Sequence, residues 1–250
     1  MKIAQLSDCH LFADVHATHF GAPVYENLIA VLRAIHADNT IDAIVFTGDL
    51  TQDHTQASYL NFVDAVRISG IEKPFYYLAG NHDDWQLLND CLSSEVFTVS
   101  KLIESGSWQV ILCDSKSDTP AGVVDQAEYL QWRQLINPNK SQLVFMHHHP
   151  IDVDYFIDRH GLNDKATFWQ QIKSFPSIQA IACGHIHNAL EIVDDSGEVT
   201  LYTCPATSMQ FNKSHDDVSA ASIVPGYRTF DLLENGQIHS QVFYVNGRHE

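Results

Sequence analysis

The chain has 250 residues, 45% of them hydrophobic, with 14 Lys/Arg against 31 Asp/Glu and a formal net charge of −17. That length and apolar content suffice for one large α/β core or two small ones. The lack of a Lys/Arg cluster excludes a nucleic-acid polymer as partner, and the lack of any apolar run of about 18 residues excludes a membrane span. An anionic ligand stays compatible with the acidity where bound metal ions supply local positive charge. The five cysteines (Cys9, Cys91, Cys113, Cys183 and Cys204) are scattered, with no Cys-x-x-Cys. They predict a reduced, cytoplasmic setting with most thiols as buried fillers. Met1–Leu6 enters a strand-like segment directly, without an apolar leader, and predicts no secretion.

In chain order, Ile3–Ser7 predicts a strand, Glu26–Asp38 an amphipathic helix, Ala43–Thr47 a buried strand and Ala57–Ile68 a helix. A strand at Phe75–Ala79 and a short helix around Asp84–Cys91 continue the rhythm of βαβ units around a mostly parallel sheet. Val96–Val99 and Trp108–Asp114 read as strands, Asp125-Gln126-Ala127-Glu128 as a capping box opening a helix to Ile136, and Gln142–Met146 as a strand. Asn163 is the expected N-cap of a helix ending near Pro176, and Ile178–Ala182 is a buried strand. Beyond it, Leu190–Val193, Val199–Thr203, Arg228–Leu233 and Ile238–Val245 predict a β meander with turns at Asp195-Ser196-Gly197 and Glu234-Asn235-Gly236. No repeat or linker divides the chain, so one domain with two sheets is expected over residues 1–250. Leu11–Tyr25 and roughly Gln210–Gly226 are long loops of a length often tied to function.

The chemistry gathers after the buried strands. They are followed, in turn, by Asp8-Cys9-His10, Gly48-Asp49, Gly80-Asn81-His82-Asp83, His147-His148-His149-Pro150 and Gly184-His185-Ile186-His187. In open α/β sheets ligands bind beyond the carboxyl ends of strands, so five strand ends deliver Asp, His and Asn to one edge. Gly184 is expected to permit a sharp turn before the His pair. Asp-x-His alone is cheap; the further copies Asp14-Val15-His16 and Asp158-Arg159-His160 follow no buried strand and read as surface.

The ordered set D-x-H, G-D, G-N-H-[DE], H and G-H-x-H resembles the calcineurin-like metallophosphoesterases. Within them the chain is most similar to the class III cyclic-nucleotide phosphodiesterases. That finer likeness rests on Thr47-Gly48-Asp49-Leu50-Thr51-Gln52-Asp53, Met146–Pro150, Cys183–His187, Met209-Gln210-Phe211 and Pro225-Gly226-Tyr227-Arg228. The resemblance implies a four-layer α/β/β/α sandwich of two mixed sheets and two divalent metal ions (Fe, Mn or Zn). Asp8, His10, Asp49 and His187 would surround one ion, and Asn81, His147, His185 and the second oxygen of Asp49 the other. It implies ions about 3.5–4 Å apart and attack on phosphorus by a hydroxide they share. Two divalent ions less two carboxylates and one hydroxide leave about one formal positive charge, which suits a phosphodiester anion.

His82, one residue past Asn81, is the implied general acid, and Asn81 and His82 are the implied substrate contacts. Asp83 either orients that imidazole or caps the following helix. His148 and His149 are expected around the ligands rather than among them. Tyr25, His54, His149, His160 and Phe211 are candidate pocket residues. Departures narrow the class: Asp53 is followed by His54 where Ser/Thr phosphatases carry arginine, and Gln52 stands where purple acid phosphatases need tyrosine. The leading reading is hydrolysis of 3′,5′-cyclic AMP. The alternatives are a broader phosphodiesterase acting on glycerophosphodiesters or 2′,3′-cyclic nucleotides, and a non-catalytic metal-binding scaffold. Oligomeric state is not encoded legibly.

Overall fold

The computed structural model describes residues 1–245; the last five of the expected 1–250 domain lie outside the described residues. Two six-stranded mixed sheets form its centre. The first contains β1 (Lys2–Leu6), β2 (Ala43–Phe46), β3 (Phe75–Tyr77) and β4 (Phe97–Thr98), all parallel. The second contains β5 (Leu102–Ser105), β6 (Trp108–Leu112), β7 (Ser141–Met146), β8 (Ile178–Cys183), β9 (Glu191–Val193) and β10 (Thr200–Thr203). A short pair, β11 (Gln210–Phe211) and β12 (Ala220–Ser222), precedes β13 (Gly226–Leu232) and β14 (Ile238–Tyr244).

Each central strand sends alternate side chains to opposite faces. Ile3 and Val45 meet Val110, Leu143, Phe145 and Ala182 in the layer between the sheets. Ala4, Leu6, Ile44 and Phe46 face the helices α1 (Val24–Ala37), α2 (Gln56–Ile68) and α3 (Trp85–Cys91). On the second sheet, Ile111, Val144 and Ile181 pack with Trp132 of α4 (Gln126–Leu135) and Phe168 of α5 (Lys165–Ile172). Both faces of the central strands are therefore covered, which is why they read as continuous apolar runs. The result is the four-layer α/β/β/α sandwich.

The structure corrects four expectations. The last four strands are no meander. β10 pairs parallel with β8 and antiparallel with β9 in the second sheet, whereas β13 pairs antiparallel with β1 and with β14 in the first. The stretch 210–226 is not only loop, since it carries β11 and β12. The N-cap of α5 is Asp164, whose carboxylate accepts from the Thr167 amide, because Asn163 lies one residue too early. Asp125 caps α4 by accepting from the Glu128 amide at 2.9 Å. Glu128 does not complete the box, for its carboxylate accepts no bond from the Asp125 amide among the described residues. Between α4 and α5, Phe156–His160 forms a 3-10 helix.

Candidate metal centre

The turns after β1, β2, β3, β7 and β8 converge at the carboxyl ends of both sheets. Asp8, His10, Asp49, His147, His185 and His187 are buried there. Asp8, His10, Asp49, His185 and His187 all adopt positive φ, between 49° and 65°. Only eight described non-glycine residues do so. Each such conformation costs about 1–3 kcal/mol and persists only where the surroundings enforce it. The backbone bends sharply after each strand and turns these side chains into one crevice.

Gly184 does not have the role expected of it. The sharp backbone falls on His185 and His187, not on the glycine, whose φ is not positive. A Cβ at Gly184 would overlap Ser7 Oγ and come within 3.0 Å of Asp8 Oδ2. Glycine is required by close approach, which lets the His185 amide reach Asp8 Oδ2 at 3.0 Å.

The side chains form two sets. His10 Nε2 lies 3.1 Å from His187 Nε2, and His187 Nε2 is 3.4 Å from Asp8 Oδ1. His147 Nε2 lies 3.1 Å from both Asn81 Oδ1 and His185 Nδ1. Asp49 Oδ2 stands between the sets, 3.8 Å from His10 Nε2 and 3.4 Å from His147 Nε2. One oxygen faces both sets; Asp49 Oδ1 instead accepts the His82 amide at 2.9 Å.

Outer contacts fix which nitrogen carries the proton. His10 Nδ1–H donates to Gln52 Oε1 (2.8 Å), His147 Nδ1–H to the Thr47 carbonyl (2.6 Å) and His187 Nδ1–H to the Met209 carbonyl (2.9 Å). In neutral imidazoles this leaves lone pairs on all three Nε2 atoms. The 3.1 Å His10–His187 contact then sets lone pair against lone pair, as does His147 against the Asn81 oxygen. A cation between them removes the repulsion, and His with Asp and Asn oxygens suits Fe, Mn or Zn. The residues present therefore fit divalent metal ions.

Electrostatics agree. Burial holds His10 and His185 well below the usual imidazole range, keeping them neutral. Burial also pushes His147 down, but the Asp49 carboxylate overrides it and raises the group to about 9. Burial would raise Asp49, yet the His147 and His82 rings hold it well below the usual carboxylate range.

Asp83 resolves its two open alternatives by taking neither. Its carboxylate accepts the amides of Asp49 (2.8 Å), Leu50 (2.9 Å), Thr51 (3.4 Å) and Gly80 (2.8 Å), locking together two turns of the site. Burial, then the Asp49 charge, raises it to about 7. Helix α3 is capped by Asp84 through the Leu87 amide (2.9 Å). His82 stands at the cavity wall, edge-on to His10 at 4.9 Å, and its buried Nδ1 has no partner among the described residues.

Of the pocket candidates, His160 and Phe211 line the cavity at the site. Tyr25 faces away, bonded to Asp64. His54 stacks on the His82 ring at 5.7 Å, and His149 is buried against Asp158 and His185. His148 spends both ring nitrogens on Ser115 and the Pro120 carbonyl, so it is not available as a ligand. Sequence reasoning gave Asp83 other roles, and it missed the bond of Gln52 to His10 and the His19 ring, which stacks on His10 at 5.0 Å. It also missed Phe156, Arg159 and Asp217 in the cavity wall. Only the position of Gln52 near the Gly-Asp block could have flagged it.

Comparison with known proteins places these residues in context. The family model described as calcineurin-like phosphoesterase matches residues 1–189. A probable cyclic nucleotide phosphodiesterase of Colwellia psychrerythraea is 50% identical over 247 residues, covering 97% of this chain and 94% of that protein. The 3′,5′-cyclic adenosine monophosphate phosphodiesterase CpdA of Escherichia coli K12 is 32% identical over 248 residues, covering 97% and 89%. Among solved structures, a dimetal phosphatase from Danio rerio superposes with a TM-score of 0.67 at 11% identity over 98% of this chain and 99% of its own, a likeness of fold.

Proposed function

Because the chain belongs to the calcineurin-like phosphoesterase family, we propose that it is a metal-dependent phosphodiesterase that hydrolyses 3′,5′-cyclic AMP to the 5′-monophosphate. The family fold implies a dinuclear divalent centre, and the buried His/Asp clusters are compatible with it. One observation carries the reading: two lone-pair clusters share Asp49 Oδ2 beside His82, at the wall of a cavity of about 340 Å3. The relatives of 50% and 32% identity, covered almost end to end, supply the substrate.

In this reading Asp8, His10, Asp49 and His187 hold one ion, and Asn81, His147, His185 and Asp49 the other, with Fe, Mn or Zn as the metals. When bound, the ions supply Lewis acidity and lower the pKa of water. Asn81 and His82 contact the substrate phosphate. His82 gives a proton to the departing ribose O3′, the role of a general acid. Its amide bond to Asp49 ties the position of that ring to the centre itself. Gln52, Thr47 and Met209 keep the Nε2 lone pairs of His10, His147 and His187 directed inward, and Asp83 holds the Asp49 turn against the Asn81 turn.

We further propose that residues 1–250 act as one domain, supported by the shared layer of side chains between the sheets. Five free, buried cysteines support a reducing, cytoplasmic location. No helix among the described residues is long and apolar enough to cross a membrane.

The test is protein reconstituted with Fe, Mn or Zn and assayed on 3′,5′-cyclic AMP, 2′,3′-cyclic AMP, a glycerophosphodiester and a chromogenic phosphodiester. Preference for the first is expected. Preference for the second or third moves the assignment to a broader phosphodiesterase, and no turnover with any metal leaves a scaffold.

A further inference from the structure

The cavity at the centre extends past the ligand sets. Its volume of about 340 Å3 falls in the ~300–1,000 Å3 range of pockets that take organic molecules. A cleft of about 480 Å3 beside Trp169, Lys173 and Asp194 is larger but includes none of the site residues. Apart from Pro120, the outer wall of the site cavity comes from two segments that hold no expected ligand. Phe156 and Arg159 belong to the 3-10 helix; Phe211, Asp217 and Val218 belong to β11 and the loop after it.

This wall carries aromatic surface from the centre to the rim. Phe211 stacks on His187 with centroids 3.9 Å apart and planes 7° apart, and Phe156 packs against Phe211 at 5.0 Å and 64°. At the rim Arg159 ties the two segments together. Its Nε donates to the Phe156 carbonyl at 3.1 Å, and its Nη2 donates to the Asp216 carbonyl and to Asp217 Oδ1, the latter at 3.1 Å. The 3-10 helix is anchored from the other side through Asp158, whose carboxylate accepts from the amides of Val153 and Asp154 and from His149 Nε2 (3.0 Å). The His149 ring lies against His185, so wall and centre form one assembly.

Arg159 is the one Lys or Arg lining this cavity among the described residues, in a chain of net charge −17. A guanidinium has five N–H donors in a planar fork. Nε and Nη2 are spent on the wall, while Nη1 bonds to no described residue and is left for a ligand acceptor.

We propose that this wall is the nucleoside subsite of the phosphodiesterase and that Arg159 is its specificity-determining residue. The inference rests on the function proposed above. With the phosphate at the ligand sets, sugar and base lie along Phe156 and Phe211. Arg159 holds the two segments together and offers Nη1 to an acceptor on the base or the ribose. A diester with only small alkyl or aryl groups gains little from the wall, so Arg159 separates nucleotide from non-nucleotide substrates.

The test compares Arg159→Ala and Arg159→Lys with wild type on 3′,5′-cyclic AMP and on methyl p-nitrophenyl phosphate. Calorimetric binding of 5′-AMP and metal content are measured alongside. One lost charge-assisted hydrogen bond corresponds to roughly a 10-fold or greater change. Arg159→Ala is expected to raise KM for cyclic AMP and weaken 5′-AMP binding by that factor. Its kcat/KM on the small ester should stay within about twofold of wild type, at unchanged metal content. Arg159→Lys, a cation without the fork, should recover only part of the loss. Equal losses on both esters, or none on cyclic AMP, overturn the subsite while leaving the function standing. Wild type that cleaves the small ester and no cyclic nucleotide overturns the function, and the subsite with it.

Discussion

At the residue scale, the site is built from conformations that these side chains seldom adopt. Asp8, His10, Asp49, His185 and His187 sit at positive φ because hydrogen bonds from neighbouring turns hold them there: Asp8 takes the His185 amide, Asp83 the Asp49 amide. Nothing in the residue types reveals this, so the sequence assigned the turn to Gly184. The structure assigns Gly184 to close approach, which makes a sharp prediction. Gly184→Ala must push Ser7 and Asp8 away from the His185 amide. Metal affinity should fall by about 10–100-fold, as when a group orienting a ligand is lost, and equilibrium dialysis of the variant measures it. Unchanged affinity would show that the crowding is relieved elsewhere. His82 poses a different question, because it offers a ring nitrogen within 4.8 Å of ligand atoms of His10 and Asp49. His82→Ala should lower kcat by about 10²–10⁴-fold if the ring is the general acid, with metal content unchanged by mass spectrometry. Loss of metal would make His82 a ligand instead.

At the element scale, legibility followed burial on both faces. Strands β1, β2, β7 and β8 are almost wholly buried and stood out as apolar runs. Strand β5 buries only Ile103 of its four residues, so it carried no pattern and was missed. The 3-10 helix at Phe156–His160 has no helical periodicity to read, which hid Arg159. Helix α4 was legible from Asp125, but the fate of Glu128 was not, because it depends on Asp114 in a distant loop. Glu128 is buried; burial, then the Asp114 charge, raises its pKa from 4.5 to about 7. The folded state thus holds this proton more tightly than the unfolded chain. The stability it contributes is full below about pH 4.5 and is lost as pH rises through about 7. Glu128→Gln removes the titration. Its Tm by scanning calorimetry should match wild type near pH 5. Near pH 8 it should exceed wild type by a few degrees, the shift of about 1–2 kcal/mol in a domain of this size. An equal difference at both pH values would place the effect in packing rather than ionisation.

At the scale of the whole molecule, the sequence located the ligand-bearing strand ends but could not assign the C-terminal strands to sheets. The pairing of β13 with β1 joins Asp231 to Lys2, and no local pattern encodes so distant a partner. Arg228 shows what that pairing achieves. From β13 in the first sheet its Nε donates to the Thr203 carbonyl at 3.0 Å and its Nη2 to the Leu190 carbonyl at 3.0 Å, both in or beside the second sheet. Its Nη1 donates to Ser240 Oγ at 2.7 Å on β14. The guanidinium is buried with no carboxylate partner among the described residues, so it works as a three-way donor between sheets rather than as half of an ion pair. The chain closes its two sheets with this residue just behind β10, whose continuation, Cys204–Met209, delivers the carbonyl that holds His187. Arg228→Met keeps the apolar stem and removes the donors. Urea unfolding should show a loss of about 1–3 kcal/mol, the cost of leaving a buried acceptor unpaired. Arg228→Lys should recover little, because an ammonium cannot span three diverging acceptors. Stability within a few tenths of a kcal/mol of wild type would mean that strand pairing alone joins the sheets.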